Sequence, residues 1–313
     1  MKYYLKKLLG LAITLFLVSF ITFFVFSLLP ENPAEIILGV NAEPEEIALL
    51  EKELGLNKSY TERYLNWLFN LFKGDMGTSY RYHQPVAELI KNSFGVTMEL
   101  SVMSLILTVA IGLPMGIYIS KNHNKYWGTF LSFITQIGYS VPYFCMAILL
   151  IYLFTVKLPW FNSMGYISFS QSPIGYLRTM FLPSLAIAIG SSAILMRYIK
   201  VCIEDEKVMD YVRTAKSKGI GSGKILRKHV LRNSLIPSIT MLGMLVADIL
   251  GGSIIIENVF SLPGIGKLIA VSISTRDLPL IQGLVLYLAV IVALCSFVVD
   301  MIYSIIDPRI RIK

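Results

Sequence analysis

"DYVRTAKSKGIGSGKILRKHVLRNSLIPSI", residues 210–239, is a basic, glycine-broken segment set between two long apolar runs. Its lysines and glycines invite comparison with a phosphate-binding loop. That loop needs a glycine, four residues, then Gly-Lys-Ser/Thr, so that backbone N–H groups surround the phosphate and a hydroxyl meets magnesium. Counting back from Gly223 and Lys224 puts Lys218 where the first glycine must stand, and Ile225 follows without a hydroxyl. The segment therefore does not hold ATP by that device. From Val208 to Lys218 the apolar positions are Val208, Tyr211, Val212 and Ala215, the i, i+3, i+4, i+7 series of an amphipathic helix. Gly219 ends this helix, since glycine enters left-handed backbone freely, and Gly221 and Gly223 permit a reversal into a second helix over 224–233. Pro237 starts the next apolar run. The spacing predicts a helical hairpin over 206–234 whose apolar face seeks a partner. The plainer alternative is a solvated loop whose lysines only mark one side of a membrane.

The rest of the chain makes it a membrane protein. Of 313 residues, 55% are hydrophobic and 15% charged, and the mean hydropathy is +0.66. Crossing about 30 Å of hydrocarbon takes about 20 apolar residues as a helix. Such runs lie near 8–29, 95–119, 130–155, 183–199, 236–256 and 281–305. The fourth is the weakest, with Pro183, Gly190, Ser191 and Ser192 inside it. The first is longer than a signal-peptide core and no small-x-small site precedes Pro30, so it reads as a retained helix. Cys145, Cys202 and Cys295 show no metal or disulfide spacing and read as inert.

The net charge of +8 is distributed by side. The 197–233 connector holds ten Lys/Arg against four acids, whereas residues 30–94 hold ten acids against six bases. The N-terminus, the 120–129 loop and the tail (Arg309, Arg311, Lys313) are also basic. Six crossings place all the basic segments on one side, which the positive-inside rule makes cytoplasmic, and the acidic loop outside. Nucleic acid is excluded as a partner because acids interrupt the basic residues and no aromatic platform accompanies them. The outer loop is long enough to fold. In it "EPEEIALLEKELGL" aligns Ile47, Leu50 and Leu54, and "YLNWLFNLFKGDMG" repeats Leu65, Leu68, Phe69 and Phe72 before Gly74. It is expected either to lie on the membrane surface as a lid or to help form a docking surface. The expected division is 1–94, first transmembrane helix and extracytoplasmic loop; 95–305, transmembrane core; and 306–313, cytoplasmic tail.

The stretch 210–239 resembles the cytoplasmic coupling motif of bacterial ABC importer permeases of the peptide and nickel branch. The matching residues are Asp210, Tyr211, Val212, Arg213, Thr214, Ala215, Lys218, Gly219, His229, Asn233 and Pro237. "GDMGTSYRYHQPV" (74–86), "IIIENVFSLPGIG" (254–266), "RDLPLIQG" (276–283) and "DPRIR" (307–311) are similar to stretches at corresponding places in that family. The resemblance implies an all-α polytopic fold of the type I ABC importer permease kind, with six transmembrane helices and both termini in the cytoplasm of a bacterial cell. It also implies four companions: a second homologous permease, two ATPase subunits and an external binding protein. ATP and Mg would be used by the ATPases, with no cofactor held by this chain. On this reading the face with Val208, Tyr211, Val212 and Ala215 enters the ATPase, and Arg213 and Lys218 meet acids at its rim. The branch carries di- and oligopeptides or nickel and metal-chelate complexes. "NSMGY" (162–166) and "GGSIIIENVF" (251–260) are similar to stretches of nickel permeases.

Ionisable residues inside spans face a cavity or a partner by default. Asp248, near Gly251, Gly252 and Ser253, is a pathway candidate or a structural hydrogen-bonder. Gln136 is a second candidate, on a run that Gly138 and Pro142 are expected to kink. Glu99 and Asp300 lie near span ends and read as interfacial or packing residues, and His83 lacks a neighbouring ligand for a metal. No catalytic triad or His-Glu-x-x-His pattern occurs, so an enzyme is not expected. The remaining rival is an ion-coupled secondary transporter with Asp248 as proton carrier.

Overall fold

The computed structural model describes residues 2–27, 33–39, 42–53, 55–162 and 165–306. "DPRIR", the 306–313 tail beyond Ile306, Pro30 and part of "NSMGY" lie outside them, as does the side chain of Asp300. Among these residues five helices are long and apolar enough to cross a membrane, or six if one bent helix pair is counted as a single span. The chain divides into two compact units, residues 1–95 with 267–294 and residues 96–266 with 295–313.

The first unit holds α1 (Lys2–Ser27), α2 (Pro33–Leu38), α3 (Pro44–Glu53), α4 (Tyr60–Phe72), the start of α5 (Val86–Lys121), most of α12 (Ile265–Ser274) and most of α13 (Leu278–Ile306). Ser59 caps α4 by accepting the Glu62 N–H. The helix then packs on α1 through its aromatic face. Tyr64 and Trp67 lie 5.3 and 5.6 Å from Phe23, centroid to centroid, and the Tyr64 hydroxyl meets Ser19 at 3.0 Å. The outer-loop helix is thus anchored on a span. The apolar series expected along it is only partly the packed one: Leu68 is half-buried, but Leu65, Phe69 and Phe72 are exposed.

Two stretches far apart in sequence close this unit. Asp277 is fully buried. Its carboxylate accepts the Ser79 hydroxyl, the Arg81 N–H at 3.1 Å and the Leu280 N–H at 3.3 Å, the last bond capping α13. Burial, with the Asp277 charge nearby, pushes the Tyr80 phenol up to about 12, against the opposing pull of Arg63.

The second unit is built around α8 (Pro173–Lys207). Many of its buried residues are small, among them Ala186, Ala188, Gly190, Ser191, Ser192 and Ala193. Close helix approach replaces side-chain bulk at such positions. In the most apolar window of α8, 78% of residues are buried, against 17–33% in the other four long helices. The run that looked weakest as a span is the central one, and it extends well past 183–199 at both ends.

The third run, 130–155, is not one crossing helix. α6 (Tyr126–Ser140) and α7 (Tyr143–Ile151, continued by a wide turn to Lys157) meet at 102°. Pro142 biases the preceding residue away from helix, and Val141 is extended at φ −86°, ψ 121°. The expected kink is therefore a complete break.

After α8 come α9 (Asp210–Ser217), α10 (Ser222–Ile225), a wide turn Leu226–Val230, and α11 (Leu231–Val259). The expected separate helix over 224–233 does not stop before the span. Ser222–Val259 is continuous, with Pro237 inside α11 rather than at its start. At the far end of α11, buried Glu257 accepts the Gly266 N–H at 2.6 Å, and Ile265 donates its N–H to Thr97 at 2.9 Å.

Candidate coupling and pathway sites

α9 is an eight-residue helix with a complete left-handed C-terminal turn. Gly219 stands at φ +75°. Its N–H bonds Lys216 O at 2.9 Å, and the Ile220 N–H bonds Ala215 O at 3.2 Å. These two bonds satisfy carbonyls that the helix end would leave open.

The apolar face of this helix does not point outward. Val212 and Ala215 are buried against Leu195, Ile199 and Ile203 of α8 and against Ile225, Val230 and Leu245. The expectation that they enter a partner is corrected here: the hairpin uses them to fasten α9 to its own scaffold, which buries apolar area without any second protein. Tyr211 is half-buried, and its hydroxyl donates to the Glu206 carboxylate. Burial first, then that bond, raises its pKa, while Asn233 hydrogen-bonds it in the opposite sense. Lys207 Nζ donates to Ser120 O at 2.7 Å, tying the end of α8 to the end of α5.

What remains exposed is a lip formed by Val208, Met209, Asp210, Arg213, Thr214, Ser217 and Lys218. Arg213 and Asp210 pair on it at 3.7 Å. His229 and Pro237 are half-buried and Asn233 is exposed. Of the eleven sequence-matched residues, Asp210, Arg213, Thr214 and Lys218 lie on the outward lip, Val212 and Ala215 form the inward anchor, and Tyr211 closes a clasp with Glu206.

The pathway candidates lie elsewhere in the same unit. Tyr143, the first residue of α7, sits edge-on between α8 and α11. A Cβ on Gly190 would come within 2.5 Å of its ring, and one on Gly252 within 2.8 Å. Its hydroxyl donates to the Asp248 carboxylate and meets Ser191 Oγ at 3.1 Å. Asp248 is exposed and has this tyrosine as its hydrogen-bond partner. Gln136 lines a cleft of about 300 Å³ with Tyr139, Arg197, Tyr198 and Met241. Arg197 lies over the Tyr139 ring, 5.7 Å from its centroid. Glu99, read as a packing residue, accepts the Tyr166 hydroxyl at 2.8 Å. Tyr143, Ser191, Arg197 and Glu206 escaped the sequence reading. Of these only Arg197 carried a signal, as a cation inside the fourth apolar run. Among the described residues no group of three or more His, Cys, Asp or Glu is placed to hold a metal.

Residues 112–312 match the model of the binding-protein-dependent transport system inner membrane component, and residues 1–101 match that of its N-terminal companion. The chain belongs to that family. It is the membrane permease of a binding-protein-dependent ABC importer, a multi-pass transport subunit and not an enzyme. A Brucella abortus (strain 2308) protein described as a peptide transport system permease is 36% identical over 307 residues, 98% of each chain. The glutathione transport system permease protein GsiC of Escherichia coli (strain K12) is 35% identical over 313 residues, the whole of both. In fold, the permease is similar to a chain of the MetNI methionine ABC transporter in its inward-facing state, with TM-score 0.56 and 16% identity, covering 70% of this chain and 96% of that one. Membership implies a complex with an ATPase and a binding protein.

Proposed function

We propose that this permease forms, with a second similar permease, the transmembrane path by which short peptides enter a bacterial cell. An external binding protein delivers the peptide, and two ATPase subunits on the cytoplasmic face bind ATP and Mg. The full-length similarity to peptide and glutathione permeases supports peptide over nickel or metal chelates. The basic segments (the N-terminus, the 120–129 loop and the hairpin) face the cytoplasm on this reading, which the charge bias between loops supports.

The lip of α9 docks into the ATPase. Val208 and Met209 supply its apolar contact, Arg213 and Lys218 its charge. Because Val212 and Ala215 lock α9 to α8 and α11, a displacement of the ATPase moves those helices as a body rather than bending a loop. Coupling therefore works by leverage. In vesicles carrying the assembled importer, peptide uptake should persist when the membrane potential is collapsed and stop when the ATPase is inactivated. The opposite pattern would establish an ion-coupled carrier using Asp248 and refute the ATP-driven reading.

A further inference from the structure

We infer that Asp248 and Arg197 form the two ends of a dipolar subsite that receives the α-amino and α-carboxylate groups of a short zwitterionic peptide during passage. This rests on the peptide reading above and names the residues that would meet the peptide.

Register places the two charges on one strip. On α8, Gly190 touches the Tyr143 ring, and Arg197, seven residues on, lines the cleft with Gln136 and Tyr139. On α11, Asp248 meets Tyr143, and Met241, seven residues back, lines that same cleft. Seven residues are nearly two full turns, so each pair shares a helix face. The helices run antiparallel through the hairpin, so both registers step in the same direction. The Asp248 level and the Arg197 level are then about 10 Å apart along the helices, from a rise of ~1.5 Å per residue. An extended tripeptide spans at most about 10 Å end to end, at ~3.3–3.6 Å per residue.

Charge and exposure agree with the spacing. Both side chains are exposed in the permease. Among the described residues neither has an opposite charge within ion-pair distance, and each is instead held by a tyrosine, Asp248 by Tyr143 and Arg197 over Tyr139. An unneutralised acid and base inside membrane helices must face polar surroundings rather than lipid. The tyrosines keep each group aimed while leaving its charge available. Asp248 sits nearer the end assigned to the outside, which orients the peptide amine outward and its carboxylate toward the cytoplasm.

The test uses the complete importer in proteoliposomes with saturating binding protein. It compares a free tripeptide with its N-acetylated and C-amidated forms, each in wild type, Asp248→Asn and Arg197→Gln. Asparagine still accepts the Tyr143 hydroxyl, so the packing is kept. Asp248→Asn should slow the free and C-amidated peptides roughly tenfold while leaving the wild-type rate for the N-acetylated form, and Arg197→Gln should spare the C-amidated form instead. Because the binding protein is common to all, a changed ratio belongs to the permease. Equal effects on all three peptides overturn the subsite, as does no effect, or loss of the assembled complex on size exclusion, which would assign the charges to a subunit contact. If wild type takes up none of the three, the peptide reading itself fails.

Discussion

At the scale of single residues, backbone conformation and close approach decide more than polarity does. Gly219 is the clearest case. Its added Cβ would meet nothing within 4 Å, so the demand for glycine comes from φ alone. Left-handed backbone costs a non-glycine residue about 1–2 kcal/mol, more for a β-branched one and less for asparagine. Gly219→Val should therefore leave membrane insertion intact and lower ATP-coupled uptake, whereas Gly219→Asn should retain most of it. Uptake and ATP hydrolysis measured together on the two variants check this, and equal coupling in both would remove the turn from the mechanism. Tyr143 shows the complementary device. Its ring fits only because Gly190 and Gly252 lack side chains, and that fit aims its hydroxyl at Asp248.

At the scale of elements, α9 shows why an amphipathic pattern does not say what its apolar face will cover. Periodicity assigned Val208, Tyr211, Val212 and Ala215 to one stripe; Val212 and Ala215 are inside, and Val208 is out. The two substitutions Val212→Asp and Val208→Asp should differ accordingly. The first buries an unpaired carboxylate and should cost about 3 kcal/mol or more, read as a lowered thermal unfolding temperature in detergent. The second should leave that temperature unchanged and reduce co-purification of the ATPase. The junction of α13 with the 74–86 stretch carries a pH dependence. Since the fold raises the Tyr80 pKa to about 12, it favours the neutral phenol. That contribution to stability is whole below the ordinary tyrosine value of about 10 and is lost as pH climbs from there toward about 12. Phenolate absorbance of the protein minus that of Tyr80→Phe should show this late titration. Asp277→Asn should move it to lower pH by removing the nearby charge.

At the scale of the whole molecule, sidedness and the order of the spans carry the function. With Cys145, Cys202 and Cys295 replaced by serine, a cysteine at Lys125 should react with a membrane-impermeant thiol reagent only from the cytoplasmic side, and one at Glu62 only from outside. Reaction of both from the same side would overturn the topology and with it the placement of the coupling lip. The central position of α8 explains its poor hydropathy. A helix surrounded by other helices gains from Ala, Gly and Ser that admit close packing, whereas helices at the lipid boundary gain from Leu, Ile and Phe. Hydropathy therefore ranks spans by lipid exposure rather than by importance.

Apolar run length, charge bias between loops and the Gly219 stop are local quantities. They determined from sequence alone that the chain is a polytopic membrane protein with a structured basic hairpin, and they marked Asp248 and Gln136, while the resemblance to a permease family marked the 210–237 motif. Only the tertiary structure decided that the third run breaks by 102°, that Val212 and Ala215 face inward, and that Asp277 meets Ser79. It alone put Arg197 and Asp248 on one strip with Tyr139 and Tyr143 beside them. The physical reason is that a residue's type and spacing set which helix face it occupies, while what that face meets depends on helices brought alongside from distant parts of the chain.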